Sequence, residues 1–283
     1  MRERLGLLFE KYGAAVEVIL CKKGERAPSL AQDAIKRGCN LIVAAGGDGS
    51  VNAVASAVAG SEAVLGVLPL GTLNHFAKDL GIPTELEAAV ENLISGRIVR
   101  VDVGEVNGHV FLNNSSLGLY PAVVQEREKI RRKGYQKWTA FAHAIFYVLR
   151  RYSHLHVVMR SNGQQELVED TPFVFVGNNE YNVCGANIGT RTCLTGGRLW
   201  VYRAPKAGRG DLLRLALRAL LGTSNSEDLP KFDADEFRIS VARGHVHVAT
   251  DGEVKRLTSP LIYRIRPEAL KVIVPFEVSR SNG

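Results

Sequence analysis

The stretch Gly46-Gly47-Asp48-Gly49-Ser50-Val51-Asn52 decides how the fold of this chain is predicted. It follows Leu41–Ala45, an apolar run typical of a buried strand, and leads into Val51–Ala59, a small apolar run with helical character. Glycines let a backbone approach phosphate oxygens, and a helix N-terminus attracts anions. Asp48 is suited to hold Mg²⁺, directly or through water, and Ser50 to donate to a phosphate. The stretch predicts a phosphate-binding turn; the alternative is a tight turn that merely needs glycine.

A second stretch, Pro69-Leu70-Gly71-Thr72-Leu73-Asn74, has the same setting. It follows the apolar run Ala63–Leu68 and precedes Leu73–Leu80, which is predicted to be a helix. Thr72 and Asn74 carry short polar groups that can cap this helix and face a nucleotide, and an ordinary threonine N-cap is the alternative. Ligands of open α/β sheets bind at the carboxyl ends of strands, so we expect both loops to converge on one crevice.

Residues 1–104 alternate between helical and strand patterns, whereas residues 105–267 are rich in short strands. Continuous apolar strands separated by helices predict an α/β N-terminal domain with a mostly parallel sheet covered on both faces. The other predicted elements of this domain are the helices Arg2–Tyr12, Ser29–Arg37 (with Ser29 as N-cap) and Glu85–Ser95, and the short β-branched run Ala15–Leu20. The β-rich second domain has predicted strands at Val110–Asn113, His154–Arg160, Phe173–Val176, Leu199–Tyr202, Phe237–Val241, His245–Thr250 and Ile262–Arg266, with helical stretches near 122–151 and 208–221.

The composition limits the class of protein. The chain has 283 residues, 46% of them hydrophobic, which excludes a disordered chain and predicts about two domains. Lysine and arginine total 36 against 29 acidic residues, and the net charge of +7 fits a nucleotide, a nucleic acid or an anionic lipid as partner. The four cysteines lack CxxC spacing, which favours a reducing compartment. No signal peptide is visible, and the longest apolar run, Trp138–Leu149, is shorter than the ~20 residues of a spanning helix, so we expect a cytoplasmic protein.

A third motif, Asp251-Gly252-Glu253, follows the predicted strand His245–Thr250. Glu253 is suited to act as a general base toward a hydroxyl, and Asp251 to shape or polarise the site. Asp-Gly is also a common hairpin turn, and taken alone the motif favours that interpretation. The patterns GxxxxGK[ST] and GxGxxG do not occur, so phosphate binding must use another kind of loop.

In this order, GGDGSVN, PLGTLNHFAKDLGIP and the later DGE resemble the catalytic domain of the diacylglycerol kinase family, which includes bacterial soluble lipid kinases and is related to sphingosine, ceramide and NAD kinases. The resemblance covers nearly the whole chain. It implies an ATP-binding α/β domain at residues 1–104, a β-sandwich lipid-acceptor domain at 105–267 and a nucleotide cleft between them. It also implies that residues 268–283 return to the first domain.

The resemblance implies an ATP-dependent lipid kinase that phosphorylates the hydroxyl of diacylglycerol or a related lipid alcohol. It makes Glu253 the general base and puts Asp48 at the centre where Mg²⁺ meets phosphate. Asp251, named above from the residues alone, is the third candidate catalytic residue. The candidate nucleotide-binding residues are Gly46, Gly47, Asp48, Gly49, Ser50, Val51, Asn52, Gly71, Thr72, Asn74 and Cys21.

The chain departs from the family pattern in several places. Relatives begin with a strand and an NPxSG-type loop, and this chain starts at the following helix, so we expect either a start codon assigned too late or an incomplete nucleotide site. Cys21 stands where many bacterial relatives have a threonine that contacts ATP, His75 replaces an aspartate, and Ser50 replaces a threonine. Gly196 stands where relatives have an aspartate that ligates a structural Mg²⁺, so we do not expect that metal.

Two basic segments predict peripheral contact with an anionic membrane surface. Lys206–Leu221 mixes arginines with leucines, and a basic cluster within 127–133 precedes the apolar run Trp138–Leu149. The alternative is that both are solvated faces of core-packed helices. Nucleic-acid binding is not expected, because no recognition fold is visible. A homodimer is one oligomeric state that the sequence allows.

The histidine pairs 154/156 and 245/247 each lie on one strand face. A zinc site would need a third ligand, which is not evident, so exposed strand residues are the favoured interpretation. Cys184 and Cys193 are interpreted as packing residues.

Two alternatives to a lipid kinase remain. An NAD kinase would share the GGDG loop and the two-domain plan, but its TPTGSTAY-like stretch is not found. A catalytically weak nucleotide- or lipid-binding protein is suggested by the missing first strand, Cys21 and Gly196, whereas the presence of Asp48 and Glu253 argues against it.

Overall fold

The computed structural model describes residues 2–21, 27–124, 154–161, 166–182, 189–191, 193–204, 208, 210, 229–242 and 244–276. The chain divides into two compact units. The first contains the chain up to Val103 and again from Glu268 onward, and the second contains Gly104–Pro267.

The helices and strands of the first unit are α1 (Arg2–Lys11), α2 (Ala27–Lys36), β1 (Leu41–Gly46), α3 (Asp48–Val58), β2 (Val64–Pro69), α4 (His75–Asp79) and α5 (Leu86–Ser95). β3 (Arg97–Val106) runs on into the second unit. The second unit has β4 (His109–Phe111), β5 (Asn114–Gly118), β6 (Leu155–Ser161), β7 (Leu167–Thr171), β8 (Phe173–Asn178), β9 (Leu199–Arg203), β10 (Lys231–Ala234), β11 (Glu236–Val241), β12 (His245–Thr250) and β13 (Glu253–Thr258). β14 (Leu261–Val274) begins in the second unit and ends in the first.

Parallel strands form the sheet of the first unit. β1 pairs with β2 in parallel from Leu41↔Val64 to Gly46↔Pro69, and the end of β14 pairs with β2 in parallel on its other side. Leu68 of β2 packs in a cluster with residues of α1 and α5, while Leu65 and Val67, which point to the opposite face, are also buried. Burial on both faces explains the continuous apolar strands and confirms the predicted α/β fold.

The second unit is a β-sandwich. One antiparallel sheet has the strand order β10-β9-β8-β5-β12-β13, and the facing layer contains β7, β6, β11 and the first half of β14. Their inner faces share one core, in which Val176 and Val248 come from the first sheet and Phe237 and Tyr263 from the other. The rings of Phe237 and Tyr263 stack, with centroids 4.9 Å apart. This architecture confirms the predicted β-rich sandwich.

Several local predictions differ from the structure. Ala15–Leu20 forms no strand within the described part of the chain and is mostly exposed, because β-branched residues make a strand only where a neighbouring strand supplies a ladder. Ser29 lies inside α2, which begins at Ala27, so it is not the N-cap. The helix predicted from Leu73 begins at His75, since Asn74 takes a left-handed conformation (φ 49°) that a helix cannot include.

The predicted helices of the second domain lie largely outside the described residues. Residues 119–124 are helical, while the rest of the stretch to residue 151 and nearly all of 208–221 are not described. Among the described helices, none has the length and apolar character needed to cross a membrane.

Candidate active site

The first glycine stretch forms the turn between β1 and α3. Gly47 is the N-cap of α3 with φ −87° and ψ −177°, an extended conformation that any residue can adopt. Asp48 and Gly49 form the first turn of the helix, whose initial N–H groups have no partner within the helix. The turn therefore presents backbone donors and the positive end of the helix dipole at the end of a strand.

The second glycine stretch meets the first one through direct backbone contact. A Cβ atom on Gly71 would lie 2.5 Å from the Cα of Gly47, and one on Gly47 would lie 3.3 Å from the Cα of Gly71. The Leu70 N–H donates to the Gly46 carbonyl at 3.0 Å. Glycine is needed at position 71, because a side chain there would collide with the backbone of Gly47. The contact places both loops at one edge of the sheet.

Asn74 fixes the shape of the second loop. Its Oδ1 accepts the Gly71 N–H at 3.1 Å, and its Nδ2 donates to the carbonyls of Pro69 (3.1 Å) and Gly71 (2.9 Å). The side chain is buried, whereas Thr72 at the loop tip is exposed. Asn74 therefore supports the loop, and Thr72 is the side chain that solvent or a ligand can reach.

Two side chains whose oxygen atoms could ligate a metal ion lie one turn apart at the start of α3. Asp48 Oδ1 accepts the Phe76 N–H of α4 at 3.5 Å, a long bond that links the two loops. Asn52 is buried, and its Oδ1 has no hydrogen-bond partner within the described part of the chain. Residues four apart share one face of a helix, so the two side chains form a small oxygen-bearing set. Hard oxygen donors of this kind suit Mg²⁺.

Two other residues of this stretch pack against their own turn. Ser50 folds back over Gly46, where an added Cβ would lie 2.7 Å from the Ser50 Oγ. Val51 is buried, and its N–H donates to the Gly47 carbonyl at 3.0 Å.

The DGE motif forms a two-residue hairpin turn between β12 and β13. Asp251 (φ 48°) and Gly252 (φ 83°) both have positive φ, and Thr250 pairs with Glu253 across the turn. This is the pattern of a type I′ turn, for which Asp-Gly is a preferred sequence. Glu253 begins β13 with an exposed side chain.

The carboxylate of Asp251 anchors this turn to a distant part of the second unit. Oδ2 accepts the Leu112 N–H at 2.7 Å, and Oδ1 accepts those of Asn113 (2.8 Å) and Asn114 (3.1 Å). Burial raises the pKa of the Asp251 carboxyl, although the three backbone hydrogen bonds and the positive charge of Arg191 act in the opposite direction. The turn that carries Glu253 is thereby held by both oxygens of the Asp251 carboxylate.

Arg191 completes this support and was not found from the sequence. Its Nη1 donates to the Leu112 carbonyl at 2.6 Å, and its Nη2 donates to Asn113 Oδ1 at 2.9 Å. Nothing in the local sequence pattern marks Arg191 or Asn113, because their role comes from contacts across 78 residues of chain.

Cys21 lies in a different part of the first unit. It is exposed and lines a cavity of about 340 Å³ together with Cys39 and β1 residues. Of the described residues that line this cavity, none belongs to the two glycine loops. The structure therefore places Cys21 apart from the loop contact that gathers the other candidate nucleotide-binding residues.

Family models match the chain over almost its whole length. A model described as the diacylglycerol kinase catalytic domain matches residues 2–106. A model described as the YegS C-terminal NAD kinase beta sandwich-like domain matches residues 116–274, more than half of the chain. The chain belongs to the diacylglycerol kinase family. The boundary between the two matches falls close to the division between the two units of this family member.

Curated relatives of this diacylglycerol kinase family member carry lipid kinase names. A probable lipid kinase YegS-like of Pectobacterium atrosepticum is 35% identical over 151 residues, which cover 52% of this chain and 50% of the relative. A diacylglycerol kinase of Staphylococcus saprophyticus is 32% identical over 119 residues, covering 41% of this chain and 39% of the relative. The matched segments thus span half or less of these curated relatives.

Solved structures support the fold of the family member. A diacylglycerol kinase from Bacillus anthracis is 21% identical with a TM-score of 0.64, covering 91% of this chain and 84% of that one. An NAD kinase from Archaeoglobus fulgidus in complex with ATP is 10% identical with a TM-score of 0.54, covering 99% and 90%. At these identities the likeness concerns the fold alone.

The structure also revises smaller points about this family member. Cys193 is exposed, with its Sγ accepting the Thr195 N–H at 3.3 Å, so it is not a packing residue; Cys184 lies outside the described residues. Gly196 is exposed, and a Cβ there would lie 2.8 Å from Asn179 Oδ1. Within the described ranges, no three His, Cys, Asp or Glu side chains are grouped to hold a metal ion.

Proposed function

We propose that this chain is an ATP-dependent lipid kinase that transfers the γ-phosphate to the hydroxyl of diacylglycerol or a related lipid alcohol. The observation that carries the proposal is the backbone contact of Gly47 with Gly71 beside the N-terminus of α3, in a chain of this family. Phosphoryl transfer depends mainly on positioning and neutralising phosphate charge, and converging backbone donors meet that need.

The first unit is proposed as the ATP-binding unit. The first turn of α3 offers backbone N–H groups from Asp48 and Gly49 to phosphate oxygens. The hydroxyl of Thr72, exposed at the tip of the second loop, donates to the nucleotide. The Asn74 side chain keeps that loop in shape.

Asp48 is proposed as the residue at the Mg²⁺ centre. Its carboxylate and the unpartnered Oδ1 of Asn52 are the oxygen donors that fit this ion within the described part of the unit. When bound, Mg²⁺ neutralises charge on the β- and γ-phosphates.

The second unit is proposed as the lipid-acceptor unit, with Glu253 as general base. The lipid hydroxyl oxygen forms a bond to the γ-phosphorus, the bond from that phosphorus to the bridging oxygen breaks, and ADP leaves. The Glu253 carboxylate accepts the hydroxyl proton. Asp251 is proposed as a positioning residue, because its carboxylate is fully occupied in holding the turn that presents Glu253.

A transfer assay with [γ-³²P]ATP, Mg²⁺ and a panel of lipid alcohols in mixed micelles tests the proposal. We expect label in an organic-phase product. Glu253→Ala should lower its rate by about 10²- to 10⁴-fold, the usual contribution of general base catalysis. Asp48→Ala should abolish the label, and Asp33→Ala, which removes an exposed carboxylate on α2, should leave it unchanged.

The same assay separates the alternatives. NAD is included as an acceptor, because the fold is shared with an NAD kinase. Label in an aqueous dinucleotide product would replace the lipid proposal. Absence of any labelled product from a folded protein would leave a nucleotide- or lipid-binding role.

We also propose that the protein contacts an anionic membrane surface. The support is the net charge of +7 and the basic residues clustered within 127–133, which the structure does not describe. Each Lys or Arg near such a surface contributes roughly 1 kcal/mol. Co-sedimentation with phosphatidylglycerol vesicles but not with phosphatidylcholine vesicles is the expected result.

A further inference from the structure

A lysine lies on the same face of β13 as the proposed general base. Glu253 and Lys255 are two residues apart on this strand, so their side chains are on one side of the sheet, about 7 Å apart along the strand. Leu257, the next residue on this side, is buried in the core of the sandwich. Lys255 itself is half-buried, and Val248, its partner across the β12–β13 ladder, belongs to the same core. The Lys255 side chain therefore lies on the inner side of the strand, next to the residue proposed to accept the hydroxyl proton.

A histidine accepts a long hydrogen bond from this lysine. Lys255 Nζ lies 3.5 Å from Nδ1 of His109 on β4. A lysine ammonium can only donate hydrogen bonds, so the imidazole accepts at Nδ1 and carries its proton on Nε2. Burial lowers the pKa of His109 and the charge of Lys255 lowers it further, whereas Glu105 on β3 acts in the opposite direction. The acceptor of the Lys255 hydrogen bond is therefore an uncharged ring at neutral pH.

Within the described part of the chain, no carboxylate forms an ion pair with Lys255. Glu105, which also acts on His109, is paired instead with Arg266, with Oε2 3.5 Å from Nη1. Taking a charge out of water costs free energy unless an opposite charge offsets it. The neutral imidazole orients the ammonium but leaves its positive charge available. Since lysine binds phosphate as a point charge, this arrangement suits a phosphate anion that is present only during the reaction.

We propose that Lys255 binds the phosphoryl group as it is transferred to the lipid hydroxyl, and that His109 positions the lysine without neutralising it. The inference rests on the lipid kinase proposed above and adds a second residue of the second unit to its chemistry. Lys255 forms and breaks no covalent bond. Its ammonium donates hydrogen bonds to non-bridging phosphate oxygens and keeps its protons, while Glu253 accepts the proton of the hydroxyl. A donor held in place in advance stabilises the charge spread over these oxygens during transfer.

The micelle assay with [γ-³²P]ATP, analysed for kcat and KM, tests the role of Lys255. Lys255→Met keeps an unbranched side chain and removes the charge. It should lower kcat by about 10²- to 10³-fold, the usual loss when one such donor is removed, with little change in KM for the lipid. Arg256→Met is the matched control, because Arg256 lies on the opposite face of β13 and is exposed, so both constants should stay unchanged. An unchanged kcat in Lys255→Met, or equal losses in the two variants, overturns the assignment.

Two variants of His109 separate positioning by a neutral group from a merely structural contact. Asparagine and aspartate have nearly the same shape, and both offer an acceptor oxygen, but only aspartate is charged. His109→Asp would pair with the Lys255 ammonium and neutralise it, so its kcat should be about ten-fold or more below that of His109→Asn. Urea unfolding checks that both variants are folded. Equal kcat values in the two folded variants would overturn the role given to a neutral acceptor.

Calorimetric binding without ATP keeps this proposal separate from the kinase proposal. The full chain is titrated with dihexanoyl phosphatidate, which carries the phosphate ester that transfer would form, and with uncharged dihexanoylglycerol as control. Lys255→Met should weaken phosphatidate binding by about ten-fold and leave dihexanoylglycerol binding unchanged.

The two measurements together assign each failure to one proposal. If the wild type labels no lipid but binds phosphatidate through Lys255, the kinase proposal is wrong and the phosphate contact of Lys255 stands. If lipid is labelled and Lys255→Met equals the wild type in kcat and in phosphatidate binding, the kinase proposal stands and the role of Lys255 is wrong. Absence of labelled lipid together with equal phosphatidate binding by both proteins overturns both proposals.

Discussion

Gly71 shows how one missing side chain sets the geometry of the candidate nucleotide site. Its hypothetical Cβ would fall 2.5 Å from the Cα of Gly47, a distance that real Cβ atoms do not adopt. The clash would be with backbone, which cannot swing aside as a side chain can. The two loops can keep their contact only if this position stays without a side chain.

Gly71→Ala is expected to destabilise the first unit by about 1–3 kcal/mol, the usual cost of overpacking, and to weaken ATP binding. Urea unfolding and nucleotide titration measure the two effects. Gly6→Ala is the matched control, because Gly6 lies in α1 with nothing within 4 Å of an added Cβ. That variant should be neutral or slightly more stable, since alanine favours a helix over glycine. Equal effects in both variants would contradict the role of the loop contact.

Asp251 links stability of the second unit to pH. Because burial raises the pKa of its carboxyl in the folded state, the folded chain binds this proton more tightly than the unfolded chain. The group's contribution to the free energy of unfolding is therefore fully present below the unfolded pKa and falls as pH rises through the folded pKa. Asp251→Asn cannot titrate, so the stability difference between wild type and this variant should be larger near pH 4 than near pH 7. Urea unfolding at both pH values measures this stability difference. A wild-type advantage that grows with pH would contradict a raised pKa of the Asp251 carboxyl.

At the scale of elements, the start of α4 depends on a left-handed residue. Asn74 has φ 49°, where a residue other than glycine or asparagine costs roughly 1–2 kcal/mol, and its side chain makes three hydrogen bonds to the loop. Asn74→Ala should therefore destabilise the chain by about 2–4 kcal/mol, combining backbone strain with lost hydrogen bonds. Asn74→Gly should be less harmful than Asn74→Ala by about 1 kcal/mol, because it loses the bonds but keeps the conformation. Thermal and urea unfolding measure the stability of the two variants. Equal losses of unfolding free energy would contradict an energetic cost of the left-handed conformation.

Local sequence predicted the elements that local patterns determine. Apolar runs ended by glycine or proline predicted β1 and β2, and the strand His245–Thr250 was predicted with its observed bounds. Pairing between distant segments could not be predicted from local sequence patterns. Ala15–Leu20 reads as a strand by propensity but has no ladder within the described chain, and the bond from Leu112 to Asp251 spans 139 residues. The DGE motif was recognised as a turn, whereas its anchoring could not be predicted because the backbone donors carry no sequence signal.

The same limit applies to the histidine pairs 154/156 and 245/247. Each histidine pair was visible as alternate residues of one strand, and exposed strand residues were the favoured interpretation. The exposure is confirmed by the structure. That β6 and β12 belong to different sheets of the sandwich depends on pairing between distant segments, which a single sequence does not specify.

For the whole molecule, the late segment of the chain is part of the core of the early unit. Leu270 is completely buried, Ile273 packs with α1 and α5, and Lys271 pairs with Glu62 across 209 residues of sequence. Leu270→Ala should destabilise the first unit by about 2–5 kcal/mol. Phe276→Ala, at an exposed position a few residues later, should change stability by less than about 0.5 kcal/mol. Urea unfolding followed by signals from the first unit checks this; equal effects would show that the end of β14 does not belong to its core.

The path of β14 also sets the order in which the two units can be completed during synthesis on the ribosome. The part of β14 that pairs with β2 is made only after the second unit has been synthesised. Until then, β2 has no strand on that edge. The sandwich of the second unit can form before the sheet of the first unit is complete. A chain whose synthesis stops before the end of β14 therefore lacks the strand that lies beside β2, and the sheet of the first unit is completed only after the second unit has been made.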